Sequence, residues 1–509
     1  MLHFKSRQSG EKSHRALIFL GLLLTVSSSS CKQSTASAAP EVDEATLRLQ
    51  QLYQSCATEA QQQLNTLLAN ANDTAFIDRM EAGYYSQGGE RLWTAKPQQL
   101  AKGDSLAALL HQKVTEMGFS EEAFLLPSID RNLAIMHQPD SAENLPQTMA
   151  QLEADLTKAY LRYTSGQRFG FTNPTQLFGQ NNYDRDIERA DTTFFNDAID
   201  QLYSCDTMMD FVRSAEPTQP EYHQLMELLR TDSTEESRNR TLCNMERLRW
   251  RDKKNPTSAE RYIFVNIAAQ QVWAVGPDSV INMRICCGKP STKTPLLTSE
   301  IHKIELNPEW GIPQSIIRGE VSHRAGDSAY FARHNYYITN SQGQRVDPRS
   351  LSSSELASGR YAVRQRSGAG NALGRIIFRF QNRFAVYLHD TSSPGAFNNA
   401  RRTISHGCVR LQRPFDIAEF VLPNADAWTL DQMRMSIDLQ PKTDQGRQYK
   451  RTHTGAIRLV NNKEVNPRVP VIITYFTQYP NPATGEMEIW GDPYSYDNII
   501  FRSIKPLLP

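Results

Sequence analysis

Three side chains with reactive potential fall within twenty residues of one another in "YLHDTSSPGAFNNARRTISHGCVRLQ", residues 387–412: His389, His406 and Cys408. A cysteine attacks as its thiolate, and a free thiol is mostly protonated near neutral pH, so a nucleophilic reading needs a nearby imidazole to take the proton. His389 closes the apolar run "FAVYLH", and Cys408 follows nineteen residues later, just before the helical pattern "RPFDIAEF". A strand, a returning loop and a nucleophile near a helix start would bring both side chains to one place. Gly407 permits tight backbone geometry. The amides of Gly407 and Cys408 are then candidates for an oxyanion hole. Arg410 adds a positive charge suited to a thiolate or to a substrate carboxylate. The competing readings are a zinc site built from His389, His406 and Cys408, and a cysteine that merely packs. No Cys-x-x-Cys pair and no HExxH helix supports zinc.

The elements that must hold these groups come late in the chain. From about residue 260 the pattern is of strands: "RYIFVNIAAQQVWAVGPDSVINMRICCGKP", then "RIIFRF", "FAVYLHD" and "VPVIITYFT". The alternation and the turn "GPDS" predict a mostly antiparallel β domain over 251–505 with about one helix laid on it. A polar and aromatic insertion, about 311–365, interrupts it, long enough to be a lid. Cys286 and Cys287 sit in a strand pattern and read as packing residues. Ahead of this, 46–250 shows apolar residues at three- and four-residue spacing and predicts a helical scaffold domain. Asp104 reads as the N-cap of "DSLAALLHQKVTEMG". The class is therefore α+β.

The chain of 509 residues carries a net charge of +1, with 39% hydrophobic and 22% charged residues. These values suit two or three globular domains and exclude the sustained basic stripe that nucleic-acid binding requires. A basic start, the apolar run "ALIFLGLLLTV" and "SSSSC" make a secretory signal too short for a mature span. Cys31 right after the small residues resembles the cleavage and lipidation site of a bacterial lipoprotein, with 1–31 as signal and 32–45 as tether. Cleavage after "ASA" at 36–38 and an uncleaved anchor are the other readings. Each puts the body of the protein outside the cytoplasm, and the lipoprotein reading puts it at the periplasmic face of a bacterial envelope membrane. The states of Cys56, Cys205 and Cys243 stay open.

"ISHGCVRL" with "YLHD" upstream resembles the signature of the YkuD-type L,D-transpeptidases. "ERYIFVNIAAQQVWAV", "GKPSTKTPLLTSEI", "LNPEWGIPQSI", "YFARHNYYI" and "RSGAGNALGRIIFRF" are similar to the large YcbB-like branch, whose catalytic domain carries a lid-like insertion. The likeness covers about 245–500 and, more weakly, "DLTKAYLRYTSG" of the scaffold. The small peptidoglycan-binding module common in that branch has no counterpart between "PEYHQLMELLR" and "NMERLRW". The resemblance implies Cys408 as nucleophile and His389 as base, its second ring nitrogen oriented by the Asp390 carbonyl. It implies His406 and Gly407 at the oxyanion region, and Arg410, Tyr387, Trp310 and Asn371 as substrate contacts or supports. The implied donor and acceptor are peptidoglycan tetrapeptide stems, joined 3→3 through a thioester, with no metal or organic cofactor and with carbapenems as inhibitors. Resolution of the acyl-enzyme by water or a free D-amino acid, and a non-catalytic envelope scaffold, are the alternatives.

Overall fold

The computed structural model describes residues 44–70, 76–232 and 234–509. The signal segment with Cys31, and all but the last two residues of the tether, lie outside the described residues. Contacts divide the chain after Gln51; of the first unit only the helical residues 44–51 are described.

The first half is helical, and its organising element is the helix Leu145–Phe169. Asn144 starts it by accepting from the Gln147 amide at 3.1 Å, with a proline in the first turn, as orphan amides at a helix start require. Tyr160 and Tyr163 on this helix are buried. So is Glu153, whose carboxylate takes the Tyr85 hydroxyl at 2.7 Å and the Trp93 and Thr94 amides at 3.1 and 2.9 Å. A buried carboxylate is tolerable only when its oxygens are spent this way. Asp104 is not an N-cap: the helix begins earlier, at Leu100, and Asp104 pairs with His137 at 2.9 Å. The six cysteines of the described residues are all free thiols, and no helix among those residues is long and apolar enough to cross a membrane.

Fourteen strands matter to the site. They are β1 Tyr183–Asp184, β2 Tyr262–Asn266, β3 Gln271–Val275, β4 Val280–Gly288, β5 Leu296–Leu306, β6 Trp310–Gly311, β7 Tyr336–Thr339, β8 Arg345–Val346, β9 Ala362–Gln365, β10 Ile376–Phe380, β11 Leu388–His389, β12 Thr403–Ser405, β13 Val409–Leu411 and β14 Asn462–Thr474. The main sheet runs β5-β10-β11-β13-β4-β3-β2-β14, and β14 pairs back onto β5 and closes it. Closure removes free sheet edges. Most pairs are antiparallel; β11–β13, β2–β14, β1–β5 and β12–β4 are parallel. β1 lies in "GFTNPTQLFGQNNYDRD", a stretch that reads as loop, and adds itself to β5 through Leu296 and Leu297. Four helices, not one, follow β13: Pro414–Phe420, Ala427–Ser436, Asp444–Thr452 and Tyr496–Ile504. Asp444–Thr452, DQGRQYKRT, is almost wholly polar, so hydrophobic spacing does not announce it.

Between β5 and β10 the chain leaves the main sheet. There β6, β9, β7 and β8 make a separate four-stranded sheet. It has its own apolar core of Ile312, Ile317, Val321, Phe331, Ile338, Leu351, Leu356 and Val363. The strands at its base pair Trp310 with Gln365, so chain entry and exit are tied together.

Candidate active site

Register brings the reactive side chains together. In the parallel pair β11–β13, Leu388 stands opposite Val409 and His389 opposite Arg410, and the Val409 amide donates to the Tyr387 carbonyl at 3.0 Å. Side chains alternate along a strand, so Tyr387 and His389 share a face with Cys408 and Arg410. Leu388, Val409 and Leu411, all fully buried, fill the other face. β10 adds Arg379 to the reactive face, since Ile377 stands opposite His389. Its guanidinium covers the Tyr387 ring at 4.7 Å and holds Glu305 at 2.8 Å.

The loop before Cys408 is held by two hydroxyls. Ser405 Oγ donates to the Cys408 carbonyl at 2.6 Å and accepts the Gly407 amide at 3.1 Å. Thr294 Oγ1 donates to the Gly407 carbonyl at 2.7 Å. Gly407 itself has φ +122°, a conformation that residues with a Cβ avoid. The Gly407 amide is thus already engaged, contrary to the expectation that it faces an oxyanion. Among the described residues the Cys408 amide makes no hydrogen bond, and it is the donor left for that task.

The electrostatics differ from a preformed ion pair. His389 is 3% exposed, and burial, then the Arg410 charge, lowers its pKa to about 4. Burial also pushes the Cys408 thiol above its ordinary value, against the Tyr387 amide and the charges of Arg410 and Arg379. The resting pair is a neutral imidazole and a neutral thiol. The sulfur lies 3.9 Å from the Ala385 carbonyl. The Asp390 and Leu373 carbonyls lie near enough to favour protonation of the ring, yet Nδ1 makes no well-formed hydrogen bond. The Asp390 side chain serves the fold: it accepts the Arg375 amide at 2.8 Å and fills the space a Cβ on Gly374 would need. The Arg410 side chain has neither hydrogen bond nor ion pair among the described residues, and its Nε is buried without a partner.

The other expected residues sit elsewhere. Asn371, 1% exposed, gives its amide to the carbonyls of Pro308 at 3.2 Å and Arg366 at 3.0 Å and accepts the Leu373 amide at 2.8 Å. It ties together the two ends of the insertion and is closed to substrate. Trp310 packs on the insertion's own core. His406 turns outward, and its Nε2 meets Glu320 Oε1 of the insertion at 2.7 Å. No group of three His, Cys, Asp or Glu side chains among the described residues is placed to hold a metal ion.

Ser405, Arg379 and Glu320 also belong to the site and were not among the residues expected there. Ser405 directly precedes the motif's histidine, and its hydroxyl next to a left-handed glycine was the available signal. Nothing local points to Arg379 or Glu320, which reach the site only through sheet order and the fold of the insertion.

Residues 260–437 match the YkuD family, described as "L,D-transpeptidase catalytic domain", and residues 78–229 match the family described as "Scaffold domain". The chain therefore carries a YkuD-type L,D-transpeptidase catalytic domain behind a helical scaffold domain, the YcbB-like architecture. Among individual proteins it is 31% identical over 241 residues to a Haemophilus influenzae protein named "Putative L,D-transpeptidase", a match covering 47% of this chain and 45% of that one. The chain thus spans about half the length of this curated relative. A solved structure, "L,D-transpeptidase from Mycobacterium smegmatis", is 15% identical, with 42% of this chain and 59% of that chain covered and a TM-score of 0.18.

Proposed function

We propose that this protein is a cysteine-dependent L,D-transpeptidase that joins peptidoglycan stem peptides by 3→3 cross-links. The observation that carries the reading is the common face of β11 and β13, with Cys408, His389 and Arg410 on it. A neutral His389 can accept the thiol proton as sulfur attacks. Cys408 attacks the carbonyl of the third stem residue, a diamino acid. The C–N bond breaks, and the proton from His389 leaves with the terminal D-alanine. The Cys408 amide steadies the oxyanion. Arg410, with no partner of its own, suits the carboxylate of that terminal residue. Tyr387 lines the same face. The side-chain amine of a second stem's third residue then displaces sulfur. A carbapenem would acylate the same thiol. The signal segment and Cys31 support export and a lipid anchor at a bacterial envelope membrane. The test is incubation of the purified protein with disaccharide-tetrapeptide and mass spectrometry of the products. Dimer and D-alanine from the wild type, and neither from Cys408→Ala, are expected; a folded wild-type protein giving no product defeats the reading.

A further inference from the structure

The proposed reaction has two half-reactions, and the site has two histidines in different electrical surroundings. His389 is buried, on the same sheet face as the thiol. His406 lies two residues before Cys408 and is matched with a carboxylate brought in by the insertion: Nε2 to Glu320 Oε1 at 2.7 Å. A carboxylate only accepts, so Nε2 carries the hydrogen and the lone pair of the neutral ring sits on Nδ1. An imidazole whose tautomer is set by a carboxylate is the arrangement that makes histidine a general base. Among the described residues Glu320 makes no other ion pair. It lies on the π-helical turn Ile317–Val321, a geometry that often marks functional positions. Tyr330 and Tyr336 meet edge to face at 6.0 Å, both near enough to feel its charge. One of these rings already carries a cation, the Arg324 guanidinium at 5.7 Å over Tyr330.

We infer that His406 is the base for the acceptor amine and that Glu320 is its positioning residue, so that the insertion supplies the acceptor half of the site. The inference rests on the transpeptidase reading above. The acceptor arrives as an ammonium. It gives one proton to His406 Nδ1, which passes it to solvent. The amine then attacks the thioester carbonyl, the C–N bond forms and the C–S bond breaks. The second amine proton ends, by way of His389, on the Cys408 sulfur.

The experiment compares wild type, Glu320→Gln and Glu320→Asp, all as the full chain, with disaccharide-tetrapeptide. D-Alanine release in a single turnover reports acylation; the ratio of dimer to tripeptide reports resolution. For Glu320→Gln the D-alanine burst stays within twofold of wild type. Dimer formation falls at least tenfold and tripeptide takes a larger share. Glu320→Asp recovers part of the dimer. Hydroxylamine, a nucleophile already unprotonated at neutral pH, resolves the acyl-enzymes of wild type and Glu320→Gln at the same rate. Burst and dimer falling together, no change in the dimer, or hydroxylamine as slow as the natural amine with Glu320→Gln each overturns the assignment. A wild type without any D-alanine burst defeats the transpeptidase reading itself, which the burst assay reads independently of the dimer ratio.

Discussion

Arg410 stands directly across the parallel ladder from His389, and its charge helps keep that buried imidazole neutral. The same guanidinium pulls the neighbouring Cys408 thiol toward ionisation. One cation therefore acts on both members of the reactive pair, holding the base unprotonated and easing the acid's loss of its proton.

Removing His389 tests that division of labour. His389→Asn should slow acylation of Cys408 by about 10²–10⁴-fold, the usual worth of a positioned base. Intact-mass kinetics of carbapenem adduct formation measure it, and a rate within threefold of wild type would assign the proton to another group.

The raised thiol pKa predicts the pH course of alkylation. Iodoacetamide labelling of Cys408 should keep rising with pH beyond 9, the thiol's ordinary value, rather than level off near neutrality. Arg410→Gln should lower the labelling rate at fixed pH several-fold, and Arg410→Lys should restore part of it. A plateau below pH 7 would mean a stable thiolate and would contradict the neutral pair.

His389 also links stability to acid. Its pKa is about 4 folded against 6.5 ordinarily, so the unfolded chain takes up the proton first as pH falls. Its contribution is complete above about pH 6.5 and is lost as pH drops through about 4, a swing of about 3 kcal/mol at most. Denaturant titrations of wild type and His389→Gln should show their stability gap narrowing from pH 7 to pH 4.5. A gap independent of pH would mean that the imidazole is not buried in its neutral form.

Among the described residues Ser405 Oγ is the one side-chain atom bonded to both Gly407 and Cys408. Ser405→Ala should cut acyl-enzyme formation at least tenfold while costing global stability only about 1–2 kcal/mol. Carbapenem acylation and a denaturant midpoint, read on the same preparation, separate the two effects; unchanged acylation would show that the loop holds its shape without the hydroxyl.

Asn371 should behave as a structural residue. Asn371→Ala leaves buried carbonyls and an amide unpaired and should cost about 3 kcal/mol, with faster proteolysis inside residues 310–365. Loss of substrate affinity with full stability would return it to the binding site.

The division into a helical half and a β half follows from hydrophobic spacing that is local and visible, as do the thiol, the imidazole and the glycine that reshapes the loop between them. Strand lengths and helix starts were less legible. "FAVYLHD" keeps only Leu388–His389 as strand, and the helix around Asp104 starts four residues earlier, because pairing partners and neighbouring helices choose the ends. Asn371 is of a type that suits a ligand equally well, and only its burial and hydrogen bonds show it to be a support.

The sequence by itself determined which reactive groups the protein owns and roughly how far apart along the chain they lie. The tertiary structure alone decided which of them share a face, that His389 is neutral, that the Gly407 amide is already spent, and that Glu320 reaches His406 across 86 residues. Residue type is a property of one position. Burial, register and the field of a distant charge belong to pairs of positions that meet only after the sheet has closed.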